Sequence, residues 1–194
     1  VDPLKFNPYA DGVNADDALA VAKLSNQLMT AVKSFAAAAE GAGAAELDAF
    51  EAALKSVVDV VKGKAAKLND ATATDAEKVI DFTNTDDLNL VKAEAVSNAA
   101  SKSGINKIAF DALIDDTTTS IKNVNDQIKD VSDLTSDATK GVFSQTKKLL
   151  DQVKAAAAAE KVTPGSGSIN FSDPEKLKEK VAQETAKAAS NEAP

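Results

Sequence analysis

The sequence predicts an all-α fold: an elongated antiparallel helical bundle with an extended N-terminal strap and a linker-joined C-terminal helix. Three observations carry the prediction. Between Ile105 and Lys161, apolar residues recur at steps of three and four, which lays a seam along one face of an α-helix. Earlier in the chain, shorter runs with the same spacing are bounded by N-cap residues on one side and glycine on the other. Alanine makes up about a fifth of the 194 residues and aromatics only 4%, so helices can approach closely while each buries little area.

Taken in order, residues 1–13 contain Asp2-Pro3 and Asn7-Pro8, and proline disfavours helix in the residue before it. An extended strap is expected, laid against the bundle by Leu4, Phe6 and Tyr9. Asn14 is a good N-cap, with Asp16 and Asp17 in the first turn, where the helix dipole favours negative charge. The first helix is expected to run to about Ala39 on a seam of Val21, Leu24, Leu28, Val32 and Phe35, ended by Gly41 and Gly43. The second, about Ala45 to Lys62, repeats the pattern with Leu47, Phe50, Leu54, Val57 and Val61, and Gly63 is the expected stop. So short a connection makes the two antiparallel neighbours. Thr74-Asp75-Ala76-Glu77 has the form of a capping box and predicts a short helix through Phe82. Thr85 is expected to cap the next helix, with Leu88, Val91, Ala95 and Ala99 facing inward until Ser103-Gly104.

The long stretch follows. Its seam of Phe110, Ile114, Thr117, Ile121, Val124, Ile128 and Val131 loses phase near Leu134, and Ala138, Val142, Gln145, Leu149, Val153 and Ala156 form a second seam. Thr135-Ser136-Asp137 supplies a new N-cap, which favours a turn over one continuous helix. Thr117 puts a hydroxyl on the seam, as a back-bonded bend or a register-setting polar position. Pro164, Gly165 and Gly167 among serines mark residues 162–171 as a flexible linker that Ile169 and Phe171 can pin down. Ser172-Asp173-Pro174-Glu175 then opens a last helix whose few apolar positions, Leu177, Val181 and Ala188, predict weak packing. The expected organisation is a bundle over 1–161 with its strap over 1–13, the linker, and a C-terminal helix over 172–194.

Missing residue types exclude much chemistry. With no Cys there is no disulfide, thiolate nucleophile or Cys-based metal site. With no His the chain lacks the side chain most used for proton transfer near neutral pH and for transition metals. All 22 basic residues are Lys, so bidentate Arg clamps are unavailable, and a net charge of −8 repels a phosphate backbone. No nucleic-acid partner is expected, and no run is long enough for a membrane span. No phosphate loop, nucleophile elbow or dinucleotide fingerprint occurs, so no catalytic residue and no cofactor are assigned. An enzyme restricted to Asp, Glu, Lys, Ser and Thr is the reading that a cleft with convergent polar groups would revive.

Two oxygen-rich patches are the only metal candidates: Asp11, Asn14 and Asp16 (with Asp17) at the start of the first helix, and Asp81, Asp86 and Asp87 around Asn84. The first is similar to a calcium loop, but the 12-residue spacing fails because Pro8 and Tyr9 occupy early positions. Helix capping accounts for both patches more simply.

Val1-Asp-Pro-Leu-Lys-Phe-Asn-Pro-Tyr-Ala10, the following Asp11–Lys23, Phe35–Phe50 and Val57-Val-Asp-Val-Val-Lys62 resemble an alanine-rich helical segment of very large, secreted, repeat-containing bacterial surface proteins, the RTX-type and cadherin-like adhesins. The likeness covers residues 1 to about 62 and fades afterwards. It implies a non-enzymatic structural module, a spacer or self-association unit embedded among β-sandwich repeats, in proteins tied to adhesion or biofilm formation. It implies an extracellular or cell-surface location and brings no catalytic residues. A chain that starts at Val1 is expected to be a segment of something longer, with protein partners that include its flanking domains and further copies of itself. Two alternatives stand beside this reading: an amphipathic coat for lipid or polymer, similar in logic to phasins and exchangeable apolipoproteins, and a calcium-binding helical module.

Overall fold

Side chains at the helix starts set the frame. Asn14 Oδ1 accepts from the backbone N–H groups of Asp16 and Asp17 at 2.9 and 3.3 Å, and Asn84 Oδ1 does the same for Asp86 and Asp87 at 2.8 and 3.2 Å. Asn106 and Ser136 accept from Ala109 and Thr139 in the same way. In the computed structural model, which describes residues 14–191, these caps open helices α1 (Ala15–Gly41), α4 (Thr85–Ala100), α5 (Lys107–Lys129) and α6 (Asp137–Val162). Between and after them lie α2 (Glu46–Ala65), α3 (Asp75–Lys78), a single 3-10 turn (Asn170–Ser172) and α7 (Pro174–Asn191). No strand occurs among the described residues, and the fold is an all-α bundle. The predicted strap over 1–13, with Asp11, lies outside the described residues.

Three predicted boundaries move. Asn84, not Thr85, caps α4, because its amide oxygen reaches two N–H groups at once. The capping box at Thr74 and Glu77 forms, but α3 ends at Lys78, where Val79 turns extended at φ −125°. Gly63 does not stop α2. Its φ is not positive, and the next residue, Lys64, is anchored to α4, so the helix continues to Ala65. Gly43, at φ 114°, does end the turn after α1.

Helix α1 occupies the centre, with α2, α5 and α6 packed around it. Hydrogen bonds from Lys23 Nζ to the Lys129 carbonyl (2.7 Å), from Gln27 Nε2 to the Asn125 carbonyl (3.1 Å) and from Asn106 N–H to the Ala42 carbonyl (2.8 Å) run α5 antiparallel to α1. By contrast Thr30 meets Thr146 and Glu40 meets Lys154, so α6 runs parallel to α1. Ser56 to Asn98 and Lys64 to Asp87 place α4 antiparallel along α2, and α7 lies antiparallel on the far side of α6.

Both seams of the long stretch face inward. Phe110 to Val131 are buried, including Thr117, and so are Val142, Gln145, Leu149, Val153 and Ala156. Ala138 is exposed, and Thr139 is buried in its stead. Thr117 makes no back-bond; its neighbour Thr118 does, to the Ile114 carbonyl at 2.7 Å.

The seam of α2 is out of phase with the prediction. Of the predicted seam Val57 is buried as expected, together with Ala49, Ala52, Ala53, Ser56 and Val60, whereas Leu47, Phe50, Leu54 and Val61 point to solvent. The start of α1 behaves alike: Ala18 and Ala22 are buried while Val21 and Leu24 are exposed. The reason is separation. Helices that meet through Ala and Ser sit near the short end of the usual ~8–10 Å interaxial range, and the bulkier residues do not fit between them. Gly41 shows how tight this is: a Cβ there would lie 2.8 Å from Ala157 Cβ and would strike the Lys154 carbonyl.

The C-terminal segment is held more firmly than its composition predicts. Glu160 accepts from the N–H groups of Gly165 (2.7 Å) and Gly167 (3.0 Å), and these two bonds hold its carboxyl below the ordinary range. Asn123 Nδ2 donates to the Phe171 carbonyl at 2.9 Å, and Ile169, Phe171 and Leu177 are buried. On α7, Glu184 lies 2.6 Å from Lys148 and 2.7 Å from Lys187.

Gly41→Ala should destabilise the bundle by about 1–3 kcal/mol, because overpacking against the α6 backbone outweighs the helix-propensity gain of roughly 1 kcal/mol; urea unfolding followed by circular dichroism reads the difference. Hydrogen bonds from Lys148 and Lys187 pull Glu184 from an ordinary 4.5 to about 2. A carboxyl depressed by folding adds stability that is complete above its unfolded value, and that stability disappears as the pH falls from about 4.5 to about 2. Carboxyl-carbon NMR titration should therefore find Glu184 ionised well below pH 4, and Lys148→Ala should return it toward 4.5.

Candidate functional site

Two concave regions stand out, and they differ in chemistry. The first, about 680 Å³, lies between α2, α3 and α4 and carries acidic residues including Asp59, Asp75, Glu77, Asp81, Asp86, Asp87 and Glu94. At its base Lys64 Nζ sits 2.6 Å from Asp87 Oδ1, with both side chains nearly buried. The same ammonium donates to the carbonyls of Ala76 (2.5 Å) and Val79 (2.9 Å), which uses all three of its protons. The second Asp87 oxygen accepts from the Asp81 N–H at 2.7 Å. The cluster is thus a closed clasp that ties the 66–84 segment to the bundle. Its ammonium and its Asp87 carboxylate are committed to each other and to backbone groups.

The metal candidates are distributed accordingly. Asn14 is occupied as a cap, and Asp16 lies exposed in the first turn. Burial raises the Asp81 carboxyl, but bonds from the Thr83 hydroxyl (2.6 Å) and N–H (2.8 Å) prevail and hold it below its usual range. Asp86 is exposed in the first turn of α4, and Asp87 is committed to Lys64. Among the described residues, no group of three or more carboxylates is arranged to hold a metal ion.

The second concavity, about 730 Å³, runs over the solvent side of α1. Its floor is Lys33, Ala36, Ala37 and Glu40; Glu46, Leu47 and Phe50 of α2 form one wall and Leu150, Asp151 and Lys154 of α6 the other. An ion pair of 2.5 Å between Lys154 and Glu40 crosses it, and that bond raises the lysine above its ordinary value.

From this groove an apolar stripe continues along α2. Leu47 is 78% exposed, Phe50 37%, Leu54 42%, Val58 38% and Val61 42%. At 100° per residue these five fall within about 80° of the helix circumference. The sequence reading found four of them through their three- and four-residue spacing, but assigned them to the interior. It missed Val58, which differs from buried Val57 only by one step around the helix, and it missed the groove floor, because Ala36 and Ala37 carry no distinguishing chemistry.

Removing the clasp should be costly. Lys64→Ala leaves Asp87 buried without a counter-charge and should destabilise the fold by about 3–5 kcal/mol in urea unfolding. Lys64→Met with Asp87→Leu, which removes both charges, should recover much of that loss.

No protein family matches the sequence, and no characterised protein or solved structure is significantly similar to it.

Proposed function

We propose that this chain is a non-enzymatic structural and interaction module, a spacer that docks other helices, from an extracellular bacterial surface protein tied to adhesion or biofilm formation. One observation carries the interaction part: the exposed stripe of α2 has the periodicity of a helix seam, and among the described residues no helix lies upon it. The surface location rests on the sequence resemblance and on the lack of Cys, which suits an oxidising compartment.

The inventory of side chains supports a scaffold over a catalyst. Lys64, deep-set among the described residues, is saturated; of the acidic groups near it Asp87 is its ion-pair partner, Glu77 closes the capping box and Asp59 pairs with Lys55. The coat-protein reading is less well supported. A coat must open its helices, whereas α1 and α5 are cross-bonded at Gln27 and Asn125, and Asn125 Nδ2 also donates to the Phe82 carbonyl at 2.9 Å.

Display of the chain on a bacterial surface tests the proposal. Displaying cells should attach to a surface or to each other more than bare cells, and Phe50→Glu with Leu54→Glu should remove the gain at equal display level. Equal attachment of displaying and bare cells would overturn the adhesive role.

A further inference from the structure

We infer that the occupant of the α2 stripe is a second copy of the same helix, laid antiparallel across a two-fold axis at Leu54. The inference deepens the reading above and rests on it. Three features select this occupant.

The first is spacing. Leu47, Phe50, Leu54, Val58 and Val61 are separated by 3, 4, 4 and 3 residues, a palindrome about Leu54. Two such stripes related by a two-fold axis meet in register: Leu47 faces Val61 of the second copy, Phe50 faces Val58, and Leu54 faces Leu54. A parallel pair has no such symmetry about a perpendicular axis. The 3-4 steps are also those of a helix–helix seam, so the shape fits a helix and not an extended peptide.

The second is charge. Exposed Glu46 and Glu51 lie in the first part of α2, where Glu51 is paired at 2.7 Å with Lys102 of α4, and exposed Lys62 lies in its last turn. Lys55 and Asp59 form an ion pair with each other at 2.5 Å and leave the middle neutral. Antiparallel copies set the acidic end of one against the basic end of the other, whereas parallel copies set like against like. Long-range repulsion between two chains of net charge −8 is screened beyond about 8 Å at 0.15 M salt.

The third is room. The groove beside Leu47 and Phe50 has small Ala36 and Ala37 in its floor between Lys33 and Glu40, so the C-terminal half of the second α2 can settle over α1 with Val58 and Val61 above the alanines and the Lys154–Glu40 ion pair beside them. A lipid surface is a poorer match. Interfacial helices carry a broad apolar face flanked by Lys or Arg, and this stripe is narrow and flanked at one end by Glu.

The absence of Cys makes the test direct, because every thiol is an introduced one. Sedimentation at 0.15 M salt should give a concentration-dependent dimer for the natural sequence. Leu54→Glu should weaken association at least 100-fold while its helical circular dichroism is unchanged, since Leu54 is 42% exposed. With a short bismaleimide, Leu54→Cys should cross-link to itself, and Leu47→Cys should cross-link to Val61→Cys but not to itself. Self-cross-linking of Leu47→Cys would overturn the antiparallel geometry. A monomer that binds anionic or neutral vesicles through the stripe would overturn the protein occupant in favour of lipid. A strict monomer whose displayed form still attaches through Phe50 and Leu54 would overturn self-pairing and leave the interaction module standing; a monomer that neither attaches nor binds vesicles would overturn both.

Discussion

The close approach of small residues around α1 is the constraint on which the bundle depends. From Ala31 to Ala42 the helix is buried on nearly every side: Ala31, Val32, Ser34, Phe35, Ala37, Ala38, Ala39, Gly41 and Ala42 are all in the interior. A central helix can be surrounded this way only if its side chains are small enough for several neighbours to reach it. Small side chains remove little apolar area from water, so the bulk of the core comes from elsewhere, from Phe110, Ile121 and Ile128 of α5, Leu149 of α6, and Phe171 beyond them. The same constraint forces the bulky residues of α2 outward. The exposed stripe follows from the tightness of the interior.

Polar groups fix what alanine leaves loosely specified. Ala-lined faces slide over one another with little change in packing, so register needs directional bonds. Gln27 and Asn125 bond to each other's backbone across the α1–α5 contact, Asn98 reaches Ser56 across α2 and α4 at 3.0 Å, and Thr30 meets Thr146 across α1 and α6 at 3.1 Å. Lys64 performs the same task for the irregular 66–84 segment. Not every buried polar group is so used: the hydroxyls of Ser34, Thr117 and Ser120 are fully enclosed and make no hydrogen bond to protein groups. Each small hydroxyl costs free energy when unpaired, yet it fits where a larger apolar residue would push helices apart.

The C-terminal segment shows how composition misleads when long-range bonds are available. Pro164, Gly165 and Gly167 give a chain that is flexible in isolation. Here Gly165 supplies a positive φ of 84° and Gly167 lets the backbone come close to α5 and α6: a Cβ at Gly167 would lie 2.8 Å from the Ala156 carbonyl and 3.0 Å from Leu113. Their N–H groups then fall within reach of Glu160. Helix α7 is held with equal economy, since Gly141 lets it come so close that a Cβ there would meet the Thr185 N–H nitrogen at 3.0 Å.

By itself the sequence determined which segments are helical, where most begin, and the inward face of α4, α5 and α6. Caps and bulky seams act within a few residues of themselves, and the seam of α5 from Phe110 to Val131 has enough Ile, Val and Phe to declare its own interior. It also determined which chemistry is missing, because side chains that are absent cannot be supplied by folding. Tertiary structure alone decided the phase of α2. There, two faces compete, one of Ala and Ser with Val57 and Val60 and one of Leu, Phe and Val, and local periodicity favours the larger residues. The winner is set by how near α1 and α4 must come, a distance that depends on residues far away in the chain, so the stripe that carries the functional reading became visible only when the neighbouring helices were in place.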